Sequence, residues 1–280
     1  MSSEPAQKND IFFWNQRRGK IFAQKGGWII GEAVYNQGYS MLDDLVGKTS
    51  FFQVLLLNTV GRIVERRFAD WLESLFICLS WPDSRIWCNQ TASLAGVLHT
   101  SPVAAVCAGI LASDSKMYGP GCMPAACDFI RGVKAQIDSG STLQNIIDFH
   151  STRHQNGIPV IAGYARPIAT GDERIPAMER VANNLALEKG KHLSLAYELE
   201  EIMQSRWGES MNLAGYSAAF FADYGFTPQE VYRLLSCWVH SGVLACYAEA
   251  ADQPPESFFP LQCGDIDYQG QPPRSVPDDQ

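Results

Sequence analysis

The chain has 280 residues, of which 46% are hydrophobic and 19% are charged, and its net charge is −8. This length suits one large domain, or one main domain with a small lobe. The acidic balance argues against a nucleic-acid partner, because phosphate binding needs a basic face. No apolar run reaches the ~18 residues of a membrane span, and no secretory signal is visible, so we expect a cytoplasmic protein without membrane association.

The eight cysteines lie in apolar segments and form no CxxC pair. None lies at zinc-finger spacing with the five histidines. A chain of this length does not need disulfides to stabilise its core. The sequence therefore predicts reduced, mostly buried thiols and no metal site.

The N-terminal part predicts a short mobile tail followed by small strands. Residues 1–10 are polar, and residues 11–39 are rich in aromatic residues and glycine, with β-like runs at Ile21-Phe22 and Trp28-Ile29-Ile30. Ser40 to Val46 predicts a capped helical turn. Thr49 or Ser50 then caps a buried helix.

Apolar periodicity predicts helices along most of the remaining chain. Small residues dominate two of them, at 101–113 and 211–224, which would let helix backbones approach closely. A proline-rich tail from residue 258 should lie extended. The result is an all-α protein of about ten helices. The expected spans are 51–59, 60–80, 86–98, 101–113, 125–138, 143–150, 175–187, 192–204, 211–224 and 227–250.

Gly157 to Arg174, GIPVIAGYARPIATGDER, interrupts this helical pattern with three glycines and two prolines. Arg166 and Arg174 flank an otherwise small and apolar segment that leads into a helix. Such a loop could cradle an anion at the helix N-terminus. The alternative is a connector whose arginines are solvated.

Six stretches in order resemble the citrate synthase family, and more closely its short citryl-CoA lyase-like branch. They match the family's "RGY…SF" segment, the turn before its first catalytic histidine, and its "IPGFGHRVY…DPR", "PNVDFYSG", "GWIAHWLE" and "Y-x-G-x-x-P" motifs. Here these are VYNQGYSMLDDLVGKTSFF, residues 104–126, residues 158–174, MNLAGYSA, GVLACYAE and DIDYQGQPPRSVP. Together they cover about residues 30–278.

The resemblance implies a citrate synthase-like multi-helical fold. It implies a large helical domain at 11–157 and 251–280, and a small lobe at 158–250 that carries the substrate loop. A homodimer is expected, with the small-residue helices at 101–113 and 211–222 in its interface. The implied ligand is a coenzyme A ester or a small carboxylate, with no permanently bound cofactor.

The chemistry of the family requires residues that this chain lacks. A carboxylate removes the α-proton of an acyl-CoA, and a histidine donates to the developing enolate oxygen. The base position falls on Ala214 and the loop histidine on Ala165. The first histidine falls on Tyr118, or on Gly121 or Cys122 if the turn is gapped differently. The histidine of the last matched motif is replaced by Cys246.

The chain retains some of the arginines that bind the substrate carboxylates in the family it resembles. Arg174 matches an arginine that holds a substrate carboxylate, and Arg166 follows the missing histidine. Two further family arginines are lost, near Val239 and Phe259. His240 is the only imidazole near the expected site.

Two hypotheses follow. Either the fold serves a catalytically silent binding or regulatory protein, or the pocket has been refitted for altered acyl-CoA chemistry. Each named side chain also has a structural alternative: a buried thiol, a packed ring or a solvated arginine. We also expect loss of Arg174 to leave folding nearly unaffected. The catalytic candidates are Tyr118, Cys122 and His240, and the substrate-binding candidates are Arg166, Arg174, Tyr164 and Tyr216.

Overall fold

The computed structural model describes residues 11–115, 118–151, 158–164, 170–255, 257 and 262–276. This part of the chain is mostly helical, with twelve α-helices and three short strands. The all-α fold class that the sequence predicted is confirmed. Among the described residues, no helix is both long and apolar enough to cross a bilayer.

The strands form one antiparallel sheet in the order β1-β2-β3, with Trp28 opposite Val34. A single π-helical turn lies at Met41–Leu45, and single turns of 3-10 helix lie at Pro120–Cys122 and Cys263–Asp265. The strands are β1 (Gly26–Ile29), β2 (Ala33–Asn36) and β3 (Tyr39–Ser40). The helices are α1 (Ile11–Arg17), α2 (Phe51–Val60), α3 (Arg66–Leu79), α4 (Trp87–Val97), α5 (Pro102–Ser113), α6 (Met123–Asp138), α7 (Leu143–Ser151), α8 (Arg174–Asn184), α9 (Lys191–Trp207), α10 (Leu213–Asp223), α11 (Pro228–Leu235) and α12 (His240–Ala251).

Local signals in the sequence set several of these boundaries. Ser50 and Gln53 form a capping box at the start of α2. Gly61 ends α2 in the left-handed region, at φ 87°, so α3 begins only at Arg66 rather than near residue 60. The strands were expected partly at Ile21-Phe22, but this pair precedes β1 and lies outside the sheet.

The helix expected from 227 to about 250 is two helices. Thr227 and Glu230 form the predicted capping box of α11, but α11 ends at Leu235. A turn closed by the Trp238 N–H and the Leu235 carbonyl, 3.1 Å apart, separates it from α12. No proline or glycine marks this break. Trp238 is buried, so packing rather than local chemistry ends α11.

The chain divides into two compact units. Unit 1 comprises Met1–Leu79 and Asp114–Trp238, and unit 2 comprises Ser80–Ser113 and Val239–Gln280. The division at residues 158 and 250 that the resemblance implied remains a prediction.

Helix α10 lies at the centre of unit 1. All of its residues from Leu213 to Ala222 are buried except Ala214. On one side the rings of Phe220 and Trp71 stack with centroids 4.0 Å apart. A helix covered by its own chain cannot also supply an intersubunit face, so the expected role of residues 211–222 in a dimer interface is wrong.

Close backbone contacts pack the three helices of unit 2. A Cβ on Gly96 of α4 would lie 2.6 Å from the Tyr247 carbonyl oxygen of α12. A Cβ on Gly242 would lie 2.6 Å from the Ser80 carbonyl oxygen. These glycines therefore set the distances between the backbone segments that pack together in this unit.

Gly96→Ala should destabilise the protein by about 1–3 kcal/mol, because the added methyl group meets a carbonyl oxygen and the Ala250 Cβ in a filled interface. Gly132→Ala is the matched control. Gly132 also lies in a helix, but a Cβ there meets nothing within 4 Å. It should be neutral or stabilising by up to about 1 kcal/mol. Urea unfolding of both variants measures this, and equal stabilities would contradict the packing described for unit 2.

Candidate functional site

The described part of the glycine-rich loop lies against the N-terminus of α10. The Gly163 carbonyl oxygen accepts the Asn212 N–H at 2.9 Å, and Tyr164 forms an antiparallel bridge with Met211. Gly163 has φ +95°, a left-handed conformation that favours glycine. This geometry fixes the loop on the helix that carries the Ala214 position.

Two glycines make this close approach feasible. A Cβ on Gly215 would lie 2.3 Å from the Gly163 carbonyl oxygen, and a Cβ on Gly163 would lie 2.6 Å from the Gly215 Cα. In the motif that MNLAGYSA resembles, an aromatic residue stands where this chain has Gly215. The loop backbone therefore packs directly on the first turn of α10.

Asp172 joins this assembly to the start of α8. Its side chain is fully buried, and one carboxylate oxygen accepts the Leu213 N–H at 2.9 Å. The carboxylate also accepts Arg174 Nε–H at 2.8 Å and Nη2–H at 2.7 Å, which makes a bidentate pair. The Asn212 side chain accepts the N–H groups of Ala214 and Gly215. The chain's own oxygen atoms thus cap the N-terminus of α10.

The buried carboxylate of Asp172 is ionised at neutral pH. Burial alone would raise its pKa. The hydrogen bonds and charge of Arg174, together with the Leu213 N–H, outweigh burial and hold the pKa of Asp172 below its ordinary value.

Arg174 is therefore part of the fold as well as a candidate for binding. Its side chain is 29% exposed, and Asp172 uses two of the five N–H donors of its guanidinium group. The remaining donors could reach a ligand. However, loss of Arg174 would leave a buried carboxylate without its cation, so from the structure we expect Arg174→Ala to destabilise the fold, in contrast to the expectation from the sequence.

The sequence did not predict a role for Asp172 or for two groups near it and the start of α10, Cys78 and Glu200. The Cys78 thiol of α3 lies within the electrostatic reach of both Asp172 and Arg174, and burial raises its pKa. The Glu200 carboxylate accepts the Met211 N–H at 3.0 Å, and burial raises its pKa. Asp172 itself had a signal, since an acidic residue before a helix start commonly caps it.

Tyr164 and Tyr216 both point into the protein. The Tyr164 hydroxyl donates to the Ala196 carbonyl oxygen at 2.9 Å, and burial raises its pKa. Tyr216 is fully buried, and burial raises the pKa of its hydroxyl while the neighbouring Trp71 side chain lowers it. Their substrate-binding role remains a prediction. Arg166 and Ala165 lie outside the described residues.

The three catalytic candidates belong to different units, with Tyr118 and Cys122 in unit 1 and His240 in unit 2. Tyr118 and Cys122 share the turn before α6, where Tyr118 is 42% exposed. The Cys122 thiol donates to the Gly119 carbonyl oxygen at 3.0 Å, and burial raises its pKa, which disfavours the nucleophilic thiolate. His240 is exposed at the start of α12, in unit 2. Within the described ranges, no three His, Cys, Asp or Glu residues are grouped to hold a metal ion.

Asp172→Asn should lower the free energy of unfolding at pH 7 by about 1–3 kcal/mol, the cost of leaving a buried charged hydrogen bond unmade. Because the folded pKa is depressed, the stabilisation is complete above the unfolded pKa of about 3.9 and is lost as pH falls through the folded value. The difference between wild type and variant should therefore shrink below about pH 4. Urea unfolding at pH 7, 5, 4 and 3 measures it.

Asp148→Asn is the control for this measurement. Asp148 pairs with Arg206 in unit 1, and its pKa is also lowered, but the pair is exposed. Solvent screens such pairs, so this variant should be much closer to wild type. A loss at Asp148 as large as that at Asp172, or a loss at Asp172 that does not change with pH, would contradict the role of the buried pair.

No family model and no curated protein matches the chain. Solved structures do match its fold. Citryl-CoA lyase from Hydrogenobacter thermophilus superimposes with a TM-score of 0.75 at 23% identity, covering 92% of this chain and 97% of that one. ATP citrate lyase from Methanothrix soehngenii, in complex with citrate and coenzyme A, gives 0.74 at 15% identity, covering 97% of this chain and 46% of that one.

Citrate synthase from Thermoplasma acidophilum, in a complex with carboxymethyl coenzyme A and oxaloacetate, gives a TM-score of 0.61 at 18% identity. This match covers 82% of the chain and 59% of that protein. At these identities the likeness establishes the fold. The chain has the helical fold of citryl-CoA lyase and citrate synthase.

Proposed function

We propose that the protein binds an acyl-CoA or a small carboxylate at the junction of the glycine-rich loop, α8 and α10, and does so without the acid–base residues of citrate synthase. The main support is the position of the Arg174 guanidinium group. It is held by the buried Asp172 carboxylate beside the first turn of α10, with its side chain 29% exposed. The solved structures that share the fold include complexes with citrate, oxaloacetate and coenzyme A compounds.

The pairing with Asp172 fixes the orientation of the Arg174 guanidinium group before an anion binds. A fixed guanidinium loses less conformational freedom on binding than a solvated one, and its remaining N–H donors match the geometry of a carboxylate. Arg166, the other retained arginine, would be a second contact. Tyr164 would then act through the loop it anchors on α9, and Tyr216 through the packing of α10.

The residues in the first turn of α10 do not provide the groups that the family's reaction needs. Ala214 can neither accept a proton nor donate a hydrogen bond from its side chain, and Leu213, Ala214 and Gly215 already donate their N–H groups to Asp172 and Asn212. No acidic residue is left at the position where the resemblance requires the base. A silent binding or regulatory protein is therefore favoured over an enzyme that would use Tyr118, Cys122 or His240.

We also propose a homodimer in which α5 lies at the interface. This helix contains no charged residue. It exposes Val103, Cys107 and Leu111, which are spaced four residues apart and so lie along one side of the helix. An uncharged apolar stripe on a helix is typical of an intersubunit contact.

Arg174→Ala should weaken binding of a di- or tricarboxylate or a CoA ester by about 1.5–3 kcal/mol, the range for a hydrogen bond to a charged group. Arg174→Lys should recover only part of this affinity, because an ammonium group cannot reproduce the planar fork. Calorimetric titration measures both, under conditions in which unfolding curves show each variant to be fully folded. Arg206→Ala, which removes an exposed arginine paired with Asp148, is the control and should bind like wild type.

Coenzyme A release tests the chemistry in the same preparations. Wild type given acetyl-CoA plus oxaloacetate, or citryl-CoA, should show no turnover comparable with that of an ordinary citrate synthase or citryl-CoA lyase. Equal affinity of wild type and both Arg174 variants for every ligand that binds would remove Arg174 from the site. Ordinary turnover would show that Ala165 and Ala214 do not stand at the family's catalytic positions.

A further inference from the structure

The N-terminal arm, defined here as residues 11–30, exposes an unusual amount of apolar side chain. No residue of α1 or β1 is buried. A seven-residue helix and a short hairpin have little stability of their own in water, so an arm without buried residues needs a covering surface. Eight of its large apolar residues are at least 47% exposed: Ile11, Phe12, Trp14, Ile21, Phe22, Trp28, Ile29 and Ile30.

Polar contacts join the end of the arm, and the hairpin that follows it, to α2. The Lys25 ammonium donates to the Asn58 carbonyl oxygen, and Asn36 of β2 donates to the Asn58 side chain at 2.7 Å. Gln37 of the hairpin donates to the Leu57 carbonyl oxygen. These bonds fix the sheet on the C-terminal turn of α2 while the apolar side chains of the arm stay exposed.

The charge of the arm is opposite to that of the rest of the protein. Residues 11–30 contain Arg17, Arg18, Lys20 and Lys25 and no acidic residue. Removing these four positive charges from the net charge of −8 leaves −12 for the rest of the chain. The arm is therefore electrostatically complementary to the body of another molecule of this protein.

The exposed area is large enough for a stable contact. An aromatic side chain buries about 150–250 Å² when it is covered. The eight exposed side chains, aromatic and aliphatic together, therefore expose on the order of 1,000 Å². A standard protein–protein interface buries about 800 Å² on each partner.

Within the described part of the chain one edge of β1 pairs with no other strand, and such an edge favours a protein partner over a lipid surface. β1 is an outer strand of the sheet, and its sequence Gly26-Gly27-Trp28-Ile29 has no charge and no proline to discourage further pairing. Unpaired backbone N–H and C=O groups need hydrogen-bond partners when they are covered, and another polypeptide supplies them while acyl chains do not.

We propose that the N-terminal arm is an interaction surface for a second copy of this chain, with β1 and the apolar side chains covered by the acidic body of that copy. This surface is distinct from the α5 stripe. It does not depend on which ligand the candidate site binds. If both surfaces are used, two different symmetric contacts would build a dimer of dimers.

Trp28→Asp tests the proposal by sedimentation velocity over a range of protein concentrations from ~0.1 to ~50 μM, which brackets micromolar affinities. Trp28 is 67% exposed, so its replacement should leave the far-UV circular dichroism spectrum of the folded chain unchanged. The variant should lose one association step, or have a dissociation constant at least tenfold higher than wild type. The control is Ile77→Asp on α3, which is also exposed, at 71%, but lies outside the arm and should associate like wild type.

A charge variant and a vesicle assay complete the design. Arg18→Glu combined with Lys20→Glu should weaken association, and so should raising NaCl from 50 to 500 mM. A concentration-independent monomer for wild type would overturn the proposal, as would identical association of wild type and Trp28→Asp. Monomeric wild type that co-sediments with phosphatidylserine-containing vesicles but not with pure phosphatidylcholine would overturn it in favour of an anionic membrane.

Discussion

The buried carboxylate of Asp172 joins the parts of unit 1 on which the candidate site depends. It accepts an N–H group from the first turn of α10 and two from the guanidinium group of Arg174 at the start of α8. A charge in this position is tolerable only because each carboxylate oxygen is hydrogen-bonded and a cation compensates it. The same contact fixes the orientation of the arginine that we expect to meet a ligand.

The loop and α10 depend on this arrangement because their backbones touch. Gly163 and Gly215 leave no room for a side chain between them, and the Gly163 carbonyl oxygen bonds to the residue that caps α10. Ala214 lies in this same first turn, where the resemblance places a catalytic carboxylate. The protein has the fold of these enzymes, and we propose that it uses Arg174 to bind an anion without a carboxylate for proton abstraction at Ala214.

Small residues serve two different purposes in this chain. In α10 they let a central helix be surrounded by aromatic rings and by the glycine loop, so the helix is buried almost completely. In α5 they leave an uncharged stripe exposed. The N-terminal arm adds a third kind of apolar surface, with large side chains and positive charge. The buried surface stabilises unit 1, whereas we propose that the two exposed surfaces contact other protein molecules.

The sequence by itself determined the helical class, most helix boundaries and the order of the motifs that resemble citryl-CoA lyase, because apolar periodicity, capping boxes and glycine stops act locally. Ser50, Gly61 and Thr227 are examples. Only the tertiary structure decided the break between α11 and α12, the burial of α10 and the pairing of Arg174 with Asp172. Those outcomes depend on contacts between segments distant in sequence, such as Asp172 with Leu213, to which no local pattern points.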